Sequence, residues 1–561
     1  MKKKIIASLL LLFTLVGCDG VSSVIDPNVI QDVPTEDRVE PEQTNWDFED
    51  YNYYNASYDQ SKWYKNELKS MQLPDPYVIN VGDTYYIYGT TDRTAARTVD
   101  CYSTKVFNTF TLHKDVFSRS ADHWSTNTTG IFAPEVMIFD GKYYMYYSAE
   151  MPSNHNMRYI DVVVSDSPTG PYKPFVGEDA NGKTLDGSEP IFRHNDNIGY
   201  SVLDQTMLVD DDGKMYMYYS VYHTGDSQYI VGFEMLDPVT PNWDTYKVLV
   251  RPGDLTPNVN GSKALLWEAY TDFRVAEGPA VIKSPINGKY YLTYSVNHYP
   301  DRYYTVCYAY SDTPLGDYTK PFEKGKQWTN LLFGYAGGME GTKVHEKWEG
   351  FMSGTAHHCF FKIGEQWMIG YHAHKNRINS DNGRMFAMDY LFFDEEGVPY
   401  TQGPSSSIQR LPEAISGYKN IALDAQVKAT NNIKNPERIN DNFIVEHYNL
   451  KQEEDREVVF EGGVAYLELV FDKEYEIGGI QIVNSAFYDK LVGDIAFINF
   501  FDGHAVKNVI FNDEYINYEQ EFIFPDSAFT INTKGIRASK VVICLNYSDP
   551  VQLNEIIVLG K

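Results

Sequence analysis

A strand-turn-strand unit that recurs five times limits the folds available to this chain more than any other feature. Each copy has a short apolar run, a turn that carries glycine and an alternating aromatic run, which together predict a β-hairpin. The copies begin at Asp75, Ala133, Asp204, Glu277 and His357, so their starts lie 58, 71, 73 and 80 residues apart. This spacing leaves room for two more strands per unit, and repeated four-stranded units are typical of propeller blades. The sequence therefore predicts a five-bladed β-propeller.

The leading residues of these units are candidates for chemistry. In a propeller the innermost strand of every blade lines the central axis, so equivalent positions meet there from distant parts of the chain. Asp75, Asp204 and Glu277 would place three carboxylates around one end of the channel, with His357 beside them. A lone acid at a strand start often bonds its own turn. Clustered like charges, however, cost free energy unless they serve a function.

Two carboxylates on either side of a glycosidic bond are sufficient for its hydrolysis. One protonates the leaving oxygen, and the other activates a water molecule or attacks directly. A third carboxylate nearby can raise the pKa of the acid by charge repulsion and so keep it protonated near neutral pH. The pattern alone leaves open which acid has which role.

The motifs around these residues resemble glycoside hydrolase family 43. An early Asp in PDPYV, a middle Asp before DDDGKMYMYY, a later Glu in EGP and the motif FAPE followed by GKYYMYYS carry the resemblance, over about residues 74–400. It implies an inverting, single-displacement mechanism, in which Asp75 is the general base, Glu277 the general acid and Asp204 the group that tunes and orients Glu277. Inversion implies base and acid carboxyl groups roughly 6.5–9.5 Å apart.

The resemblance also implies residues that contact the sugar. Phe132 and Ala133 match the hydrophobic wall of the family's sugar pocket, and Glu135 belongs to the same motif. Arg384, in GRMFAMDY, resembles an arginine that reaches the sugar and the middle Asp. The alternatives are plain blade packing for Phe132 and Ala133, and a surface ion pair for the arginine.

Two segments depart from the family pattern. GTAHH resembles the family's GxGH segment, whose histidine helps to hold a calcium ion on the axis, and this would make His357 a calcium ligand. Ala356 replaces the usual glycine there, His358 competes for the assignment, and calcium prefers oxygen ligands, so a neutral pocket residue is the alternative. The middle motif reads LDQ where the family usually has IDP, which keeps Asp204 and changes the residue that follows it. No other cofactor is expected.

Aromatic residues are abundant, with 45 Tyr and 30 Phe in 561 residues. Such rings suit cross-strand pairs, and they also suit ligands that present both CH faces and hydroxyls. Trp124, Trp267 and Tyr299 lie near the motifs and could stack on sugar rings or simply pack. The formal charge of −29 argues against nucleic acid as a partner, because phosphate binding needs a basic patch.

The first residues, MKKKIIASLLLLFTLVGC, are typical of a bacterial lipoprotein leader. The lysines form its positive segment, and the apolar run is too short for a permanent membrane-spanning helix. LVGC resembles a lipobox and so predicts a signal peptide over 1–17 with lipidation of Cys18, the alternative being an ordinary signal peptide. The acidic stretch 18–45 is predicted to be a flexible tether. We expect an envelope protein, on the periplasmic or the cell-surface face, that contacts the membrane only through this anchor.

The last third of the chain has a different pattern. Short alternating strands without the GKYY hairpins predict a β-sandwich over 416–561, which follows a propeller domain over 46–410 in an all-β chain. The segments NIALDAQVKATNN, INDNF and AYLELVFDKEYEIGGIQIVN resemble the discoidin-type, or galactose-binding-like, domain. Many such modules bind sugars, and others only support the enzyme.

These observations predict a glycosidase that releases terminal or side-chain sugars from plant polysaccharides or their oligosaccharides. The resemblance favours α-L-arabinofuranosidase or β-xylosidase activity, with β-galactosidase-type action as a further option. A retaining fructosidase is disfavoured because no WMNDPNG-like segment surrounds Asp75, and a phosphorylase because the unit starts are acidic. A lipid-anchored glycan-binding protein without catalysis is the remaining rival, against which the three carboxylates argue.

Overall fold

The computed structural model of this chain describes residues 58–561 with internal gaps. The gaps are 67–70, 92–97, 122, 126–129, 153, 194–199, 224–226, 257–263, 270–273, 302, 327, 335–352, 375–382, 406–407, 445–456, 485–505, 513, 518–527 and 548–549. The predicted signal peptide, Cys18, the tether and the first residues of the predicted propeller domain lie outside the described residues. No helix in the described part of the chain is both long and apolar enough to cross a bilayer.

Five antiparallel sheets of four strands each are arranged around one axis. Their innermost strands contact one another in a closed ring. Blade 1 consists of Tyr77–Val81, Thr84–Tyr88, Thr98–Thr104 and Thr111–Ser118; blade 2 of Phe132–Phe139, Lys142–Met151, Asn154–Ser165 and Lys173–Pro174; blade 3 of Ser201–Val209, Met215–Tyr222, Tyr229–Asp237 and Thr240–Val250; blade 4 of Ala276–Lys283, Tyr290–Val296, Thr305–Ser311 and Leu331–Phe333; and blade 5 of Ala356–Ile363, Gln366–His374, Arg384–Phe393 and Pro399–Thr401. The prediction of a five-bladed propeller is confirmed.

Tyrosines of the second strands fill the spaces between blades. Tyr88, Tyr146 and Tyr218 occupy equivalent positions in blades 1, 2 and 3, and all three are fully buried. Each hydroxyl donates to a proline carbonyl in the next blade, at Pro168, Pro238 and Pro314, over 2.6, 2.8 and 3.0 Å respectively. A buried phenol needs such a partner, so the high tyrosine content reflects a repeated contact between blades.

One residue at the start of each innermost strand has a left-handed backbone. These residues are Asp75, Ala133, Asp204, Gly278 and His357, with φ between 44° and 55°. In blades 2 to 5 a shift in strand register marks the same place as a bulge. Such a conformation is unfavourable for residues other than glycine, so the surrounding structure must hold it.

A ring of hydrogen bonds between blades holds these residues. Four of the five backbone N–H groups donate to a side chain at the end of the second strand of the preceding blade. These bonds run from Ala133 to Thr90 Oγ1 (2.8 Å), from Asp204 to Ser148 Oγ (3.1 Å), from His357 to Ser295 Oγ (2.8 Å) and from Asp75 to His372 Nδ1 (3.1 Å). At the remaining junction Ser220 donates to the carbonyl of Ala276 over 2.6 Å.

The register corrects one expectation from the sequence. Glu277 was expected to be equivalent to Asp75 and Asp204, but the left-handed residue of blade 4 is Gly278. Glu277 pairs with Ser295, and the equivalent residue of blade 2 is Phe132. The prediction was wrong by one residue because an alignment of hairpin ends does not reveal the extra residue of a bulge.

The segment before blade 1 closes the ring against blade 5. Leu73 donates its N–H to the Arg384 carbonyl, and Phe386 donates to the Met71 carbonyl, over 3.0 and 2.9 Å. Upstream, Trp63–Lys65 pairs with Ile408–Arg410 in a two-stranded sheet. A further small hairpin, Gly177–Glu178 with Thr184–Leu185, follows blade 2.

The C-terminal domain is built mainly of β-strands. Its nine strands form one continuous sheet around a single apolar core. The strands are Lys419–Asn420, Gln426–Ala429, Ile433–Lys434, Val458–Phe460, Gly463–Asn484, Val506–Phe511, Glu514–Asn517, Ala528–Tyr547 and Val551–Gly560. The two longest strands, Gly463–Asn484 and Ala528–Tyr547, shift register along their pairing, and both contribute side chains to the core. The short helices described are Leu266–Ala269, Glu413–Ser416, Ile421–Asp424 and Pro436–Asn440.

Replacement of Gly278 by alanine tests the left-handed ring. The new Cβ would lie 3.1 Å from Cγ and from Nδ1 of the His357 ring, whereas a Cβ on Gly288 would meet nothing within 4 Å. Both glycines have positive φ, so each alanine variant should lose about 1–2 kcal/mol of unfolding free energy. Overpacking should cost Gly278→Ala about 1–3 kcal/mol more. Urea unfolding measures the difference, and equal losses would contradict this packing.

Candidate active site

Asp75 is buried at the axis and is held at both carboxylate oxygens. Its Oδ1 accepts from Arg384 Nη1 over 2.8 Å and lies 3.2 and 3.3 Å from Nδ1 of His357 and His372. Its Oδ2 accepts from the Thr90 hydroxyl over 2.5 Å. Burial alone would raise the pKa of Asp75, but the charge of Arg384 holds it well below the usual range. Asp75 is therefore an ionised base at neutral pH.

The carboxyl groups of Glu277 and Asp204 have the opposite tendency. Burial raises the pKa of Asp204 well above its usual range, and the charges of Glu277 and Asp75 raise it further. Burial also raises the pKa of Glu277, against hydrogen bonds from Tyr304 and Gln228 that lower it. These two bonds measure 2.9 Å to Oε1 and 2.8 Å to Oε2. This pair of buried carboxyl groups can therefore keep a proton to donate.

The imidazole of His372 connects the two halves of the site. Its Nδ1 accepts the N–H of Asp75, and its ring stacks on Tyr304, whose hydroxyl holds Glu277. Because Nδ1 accepts a hydrogen bond, the ring is neutral. Burial supports that state and lowers the pKa of His372 to about 3. Asp75 and Glu277 are thus linked through the stacked rings of His372 and Tyr304.

Arg384 approaches the site from blade 5. Its side chain is buried, and its guanidinium lies 4.9 Å from the centre of the Tyr299 ring. Tyr299 is 42% exposed, whereas Trp124 and Trp267 are buried and donate their indole N–H groups to Asp161 and Asn330. Of these three aromatic candidates, only Tyr299 presents an accessible ring.

The FAPE motif contributes a wall and a buried acid. Ala133 is buried, and the partly buried Phe132 ring lies 5.4 Å from the Arg158 guanidinium. Glu135 lies deeper in the blade, paired with Tyr146. Burial raises the pKa of Glu135 well above its usual range, and Thr206 donates a hydrogen bond that opposes the shift. Glu135 is therefore a neutral acid below the carboxylates, and its role in sugar binding stays a prediction.

Several residues of the site were not found from the sequence. Thr90, Gln228 and Tyr304 donate to the carboxylates of Asp75 and Glu277, and His372 accepts the backbone N–H of Asp75. A signal for Thr90 and His372 was present, because the second strands of the repeats end in Thr90, Ser148, Ser220, Ser295 and His372. Gln228 and Tyr304 lie outside the repeated hairpins, so the repeat does not give them equivalent positions in other blades.

Gln205, the residue that departs from the family pattern, links blades 2 and 3. Its Nε2 donates to the carbonyls of Ala133 and Tyr146 over 2.7 and 3.1 Å, and its Oε1 accepts from Ser148 over 3.3 Å. The side chain is 1% exposed. The departure therefore leaves Asp204 in place and adds a buried amide that fastens the neighbouring left-handed residue.

His357, the predicted calcium ligand, lies next to two carboxylates. Nδ1 of His357 lies 3.2 and 3.9 Å from carboxylate oxygens of Asp75 and Asp204. Among the residues described, no group of three or more His, Cys, Asp and Glu side chains is placed to hold a metal ion. These side chains do not form a calcium site by themselves, and calcium stays a prediction. Among the described residues the cysteines are buried and form no disulfide.

This chain is similar in sequence to a family of glycosyl hydrolases. A sequence model described as glycosyl hydrolases family 43 matches residues 64–399. An extracellular endo-alpha-(1->5)-L-arabinanase of Thermotoga petrophila is 26% identical over 396 residues, which cover 65% of this chain and 78% of that protein. Xylosidase/arabinosidase 43A of Humicola insolens is 25% identical over 304 residues, or 49% of this chain and 75% of that protein. The crystal structure of a thermostable family-43 glycoside hydrolase has 25% identity and a TM-score of 0.47, covering 62% of this chain and 98% of its own.

Removal of the Gln205 amide should destabilise the protein. Gln205→Ala would leave two buried carbonyls without a donor, at an expected loss of about 1–3 kcal/mol in unfolding free energy. Gln366→Ala is the matched control, because Gln366 also donates to two carbonyls, over 2.7 and 3.1 Å, but is only partly buried. Water should replace its bonds, so the control should lose less. Denaturant unfolding of both variants makes the comparison, and a harmless Gln205→Ala would refute the assignment.

Proposed function

This chain belongs to glycosyl hydrolases family 43, and we propose that it releases terminal or side-chain sugars as an α-L-arabinofuranosidase or β-xylosidase. It is an inverting glycoside hydrolase of plant polysaccharides. The curated relatives named above are an arabinanase and a xylosidase/arabinosidase, and a further one, from Xylanibacter ruminicola, is a β-xylosidase. Membership of this family also argues against the fructosidase and phosphorylase alternatives.

The carboxyl groups of Asp75 and Glu277 have pKa values shifted in opposite directions, and this difference supports the assignment of their roles. Arg384 keeps Asp75 ionised, while burial and the charge of Asp75 favour a protonated Glu277. In the proposed reaction Asp75 takes a proton from water as the water oxygen bonds to the anomeric carbon. Glu277 gives its proton to the leaving oxygen as the glycosidic bond breaks, which gives inversion. Asp204 raises the proton affinity of Glu277 and does not exchange a proton with the substrate.

We propose that sugar binding uses the residues around this centre. Phe132 and Ala133 form an apolar wall, Arg384 supplies hydrogen-bond donors, and Tyr299 offers a ring face at 42% exposure. A ring with CH groups on one face and hydroxyls at its edge matches such a pocket. The buried ionised base disfavours the alternative of a purely glycan-binding protein, because a binding site does not need it.

The ends of the chain have proposed roles as well. The lipobox-like LVGC supports lipidation of Cys18 and a location in the cell envelope, and the relatives of Thermotoga petrophila and Bacillus subtilis are named as extracellular. We place the propeller domain at 46–410 and a discoidin-type domain at 416–561. The helix Glu413–Ser416 supports this boundary, because it lies between the strand Ile408–Arg410 and the first strand of the nine-stranded sheet, Lys419–Asn420. The C-terminal domain would bind glycan or support the enzyme.

Two isosteric variants separate the two proposed roles. Asp75→Asn and Glu277→Gln should each lower kcat on arabino- or xylo-oligosaccharides about 10²–10⁴-fold. Nitrophenolate leaves without protonation, so Glu277→Gln should lose much less on nitrophenyl arabinofuranoside or xyloside, whereas Asp75→Asn should lose equally on both substrate types. Proton NMR of the first-formed anomer checks inversion. A wild type that binds glycans but hydrolyses none would favour the binding-protein alternative.

The pH profile tests the electrostatic part. Asp75 must be ionised, so kcat/KM falls as pH drops through its pKa, which Arg384 holds low. Arg384→Met should raise that pKa and move the acidic limb of kcat/KM to higher pH. Arg158→Met is the matched control, because Arg158 acts on Asp204 and is paired with Glu150. The prediction fails if the acidic limb stays in place in Arg384→Met or moves equally in both variants.

A further inference from the structure

The two oxygens of the Asp75 carboxylate have very different surroundings. Oδ1 is crowded by Arg384 at 2.8 Å, His357 at 3.2 Å and His372 at 3.3 Å. Oδ2 has one hydrogen bond among the described residues, from Thr90 over 2.5 Å. A carboxylate oxygen offers about two lone-pair directions. Arg384 takes one lone-pair direction of Oδ1, and the rings of His357 and His372 crowd the space around the other. Oδ2 keeps one lone-pair direction for a water molecule.

The Thr90 hydroxyl has a fixed direction. It accepts the backbone N–H of Ala133 over 2.8 Å, and the residue is 3% exposed. A hydroxyl has a single proton. Because the backbone N–H of Ala133 occupies the acceptor side of this hydroxyl, its proton is directed to Asp75 Oδ2. The bond cannot reverse without loss of the contact between blades 1 and 2.

From this geometry we infer that Thr90 is a positioning residue for the base and that Oδ2 of Asp75 is the atom that takes the proton of water. This inference rests on the proposed function. The Thr90 bond fixes the rotation of the carboxylate, so that the free lone pair of Oδ2 keeps one direction. The proton of water moves to Oδ2, the water oxygen bonds to the anomeric carbon, and the leaving oxygen takes the proton of Glu277.

The other blades show that this second bond is special to Thr90. Ser148 and Ser295 occupy the same position in blades 2 and 4 and also accept the N–H of the next left-handed residue. Only in blade 1 does the residue at this position also donate to a carboxylate, among those whose bonds are described. His372 holds the backbone of Asp75 from blade 5, so the base is fixed at its main chain and at its side chain by different blades.

Thr90→Val and Thr90→Ser test this inference. Valine keeps the shape and removes the hydroxyl, so kcat should fall about 10- to 100-fold, the loss of one hydrogen bond to a charged group. KM should stay within about threefold, because Thr90 acts on the base and not on the sugar. Serine keeps the hydroxyl and should restore kcat to within about threefold of the wild type. Steady-state kinetics on the better nitrophenyl glycoside supplies both constants.

A stability control separates positioning from folding. Thr401→Val is the matched control, because the Thr401 hydroxyl donates to the Tyr390 carbonyl over 2.8 Å and accepts the N–H of Gly403 over 3.1 Å. Thr401 is fully buried in the outermost strand of blade 5. The Tm of Thr401→Val should fall about as far as that of Thr90→Val, with a much smaller loss of kcat. The inference is overturned if Thr90→Val keeps the wild-type kcat, if Thr90→Ser loses as much as Thr90→Val, or if Thr401→Val matches Thr90→Val in kcat. An inactive wild type would instead overturn the proposed function, and this inference with it.

Discussion

The left-handed residue at the start of each innermost strand is the constraint on which the rest of this structure depends. Four of the five positions carry a residue other than glycine, and each such residue costs about 1–2 kcal/mol in backbone conformation. The cost is offset by a hydrogen bond from the preceding blade, made by Thr90, Ser148, Ser295 or His372. Because the bonds run around the whole axis, no blade sets its own inner strand alone.

The same ring explains why the site can hold charges that would otherwise destabilise it. The side chains of Asp75, Asp204 and His357 occupy three of the left-handed positions and meet there, with His357 Nδ1 within 3.2 and 3.9 Å of the two carboxylates. Burial favours their neutral forms, so a single ionised group needs a dedicated cation. Arg384 supplies it to Asp75, and the strand that carries Arg384 is the one to which the segment before Asp75 is bonded. The contacts between blade 5 and the segment before blade 1 therefore both close the propeller and bring Arg384 to Asp75.

Much of this arrangement could be predicted from the sequence, because a hairpin repeat has a period that can be counted. Blade number and the positions of Asp75 and Asp204 followed from the pattern. Arg384 was expected to reach the middle Asp, whereas its described ion pair is with Asp75. The position of Glu277 was wrong by one residue, since a bulge adds a residue without changing the composition around it. Tyr304 and Gln228 were missed because only tertiary folding brings them to Glu277.

Trp63 has a consequence for the order in which this chain can fold. Its side chain is fully buried against residues that come after all five blades, including Ile408, Tyr418 and Leu559. On the ribosome this tryptophan emerges among the first described residues, and its partners emerge last. The segment must wait, apolar and uncovered, until synthesis is nearly finished. Trp63 is therefore buried only when the C-terminal domain has folded, so the packing of the first described segment is completed last.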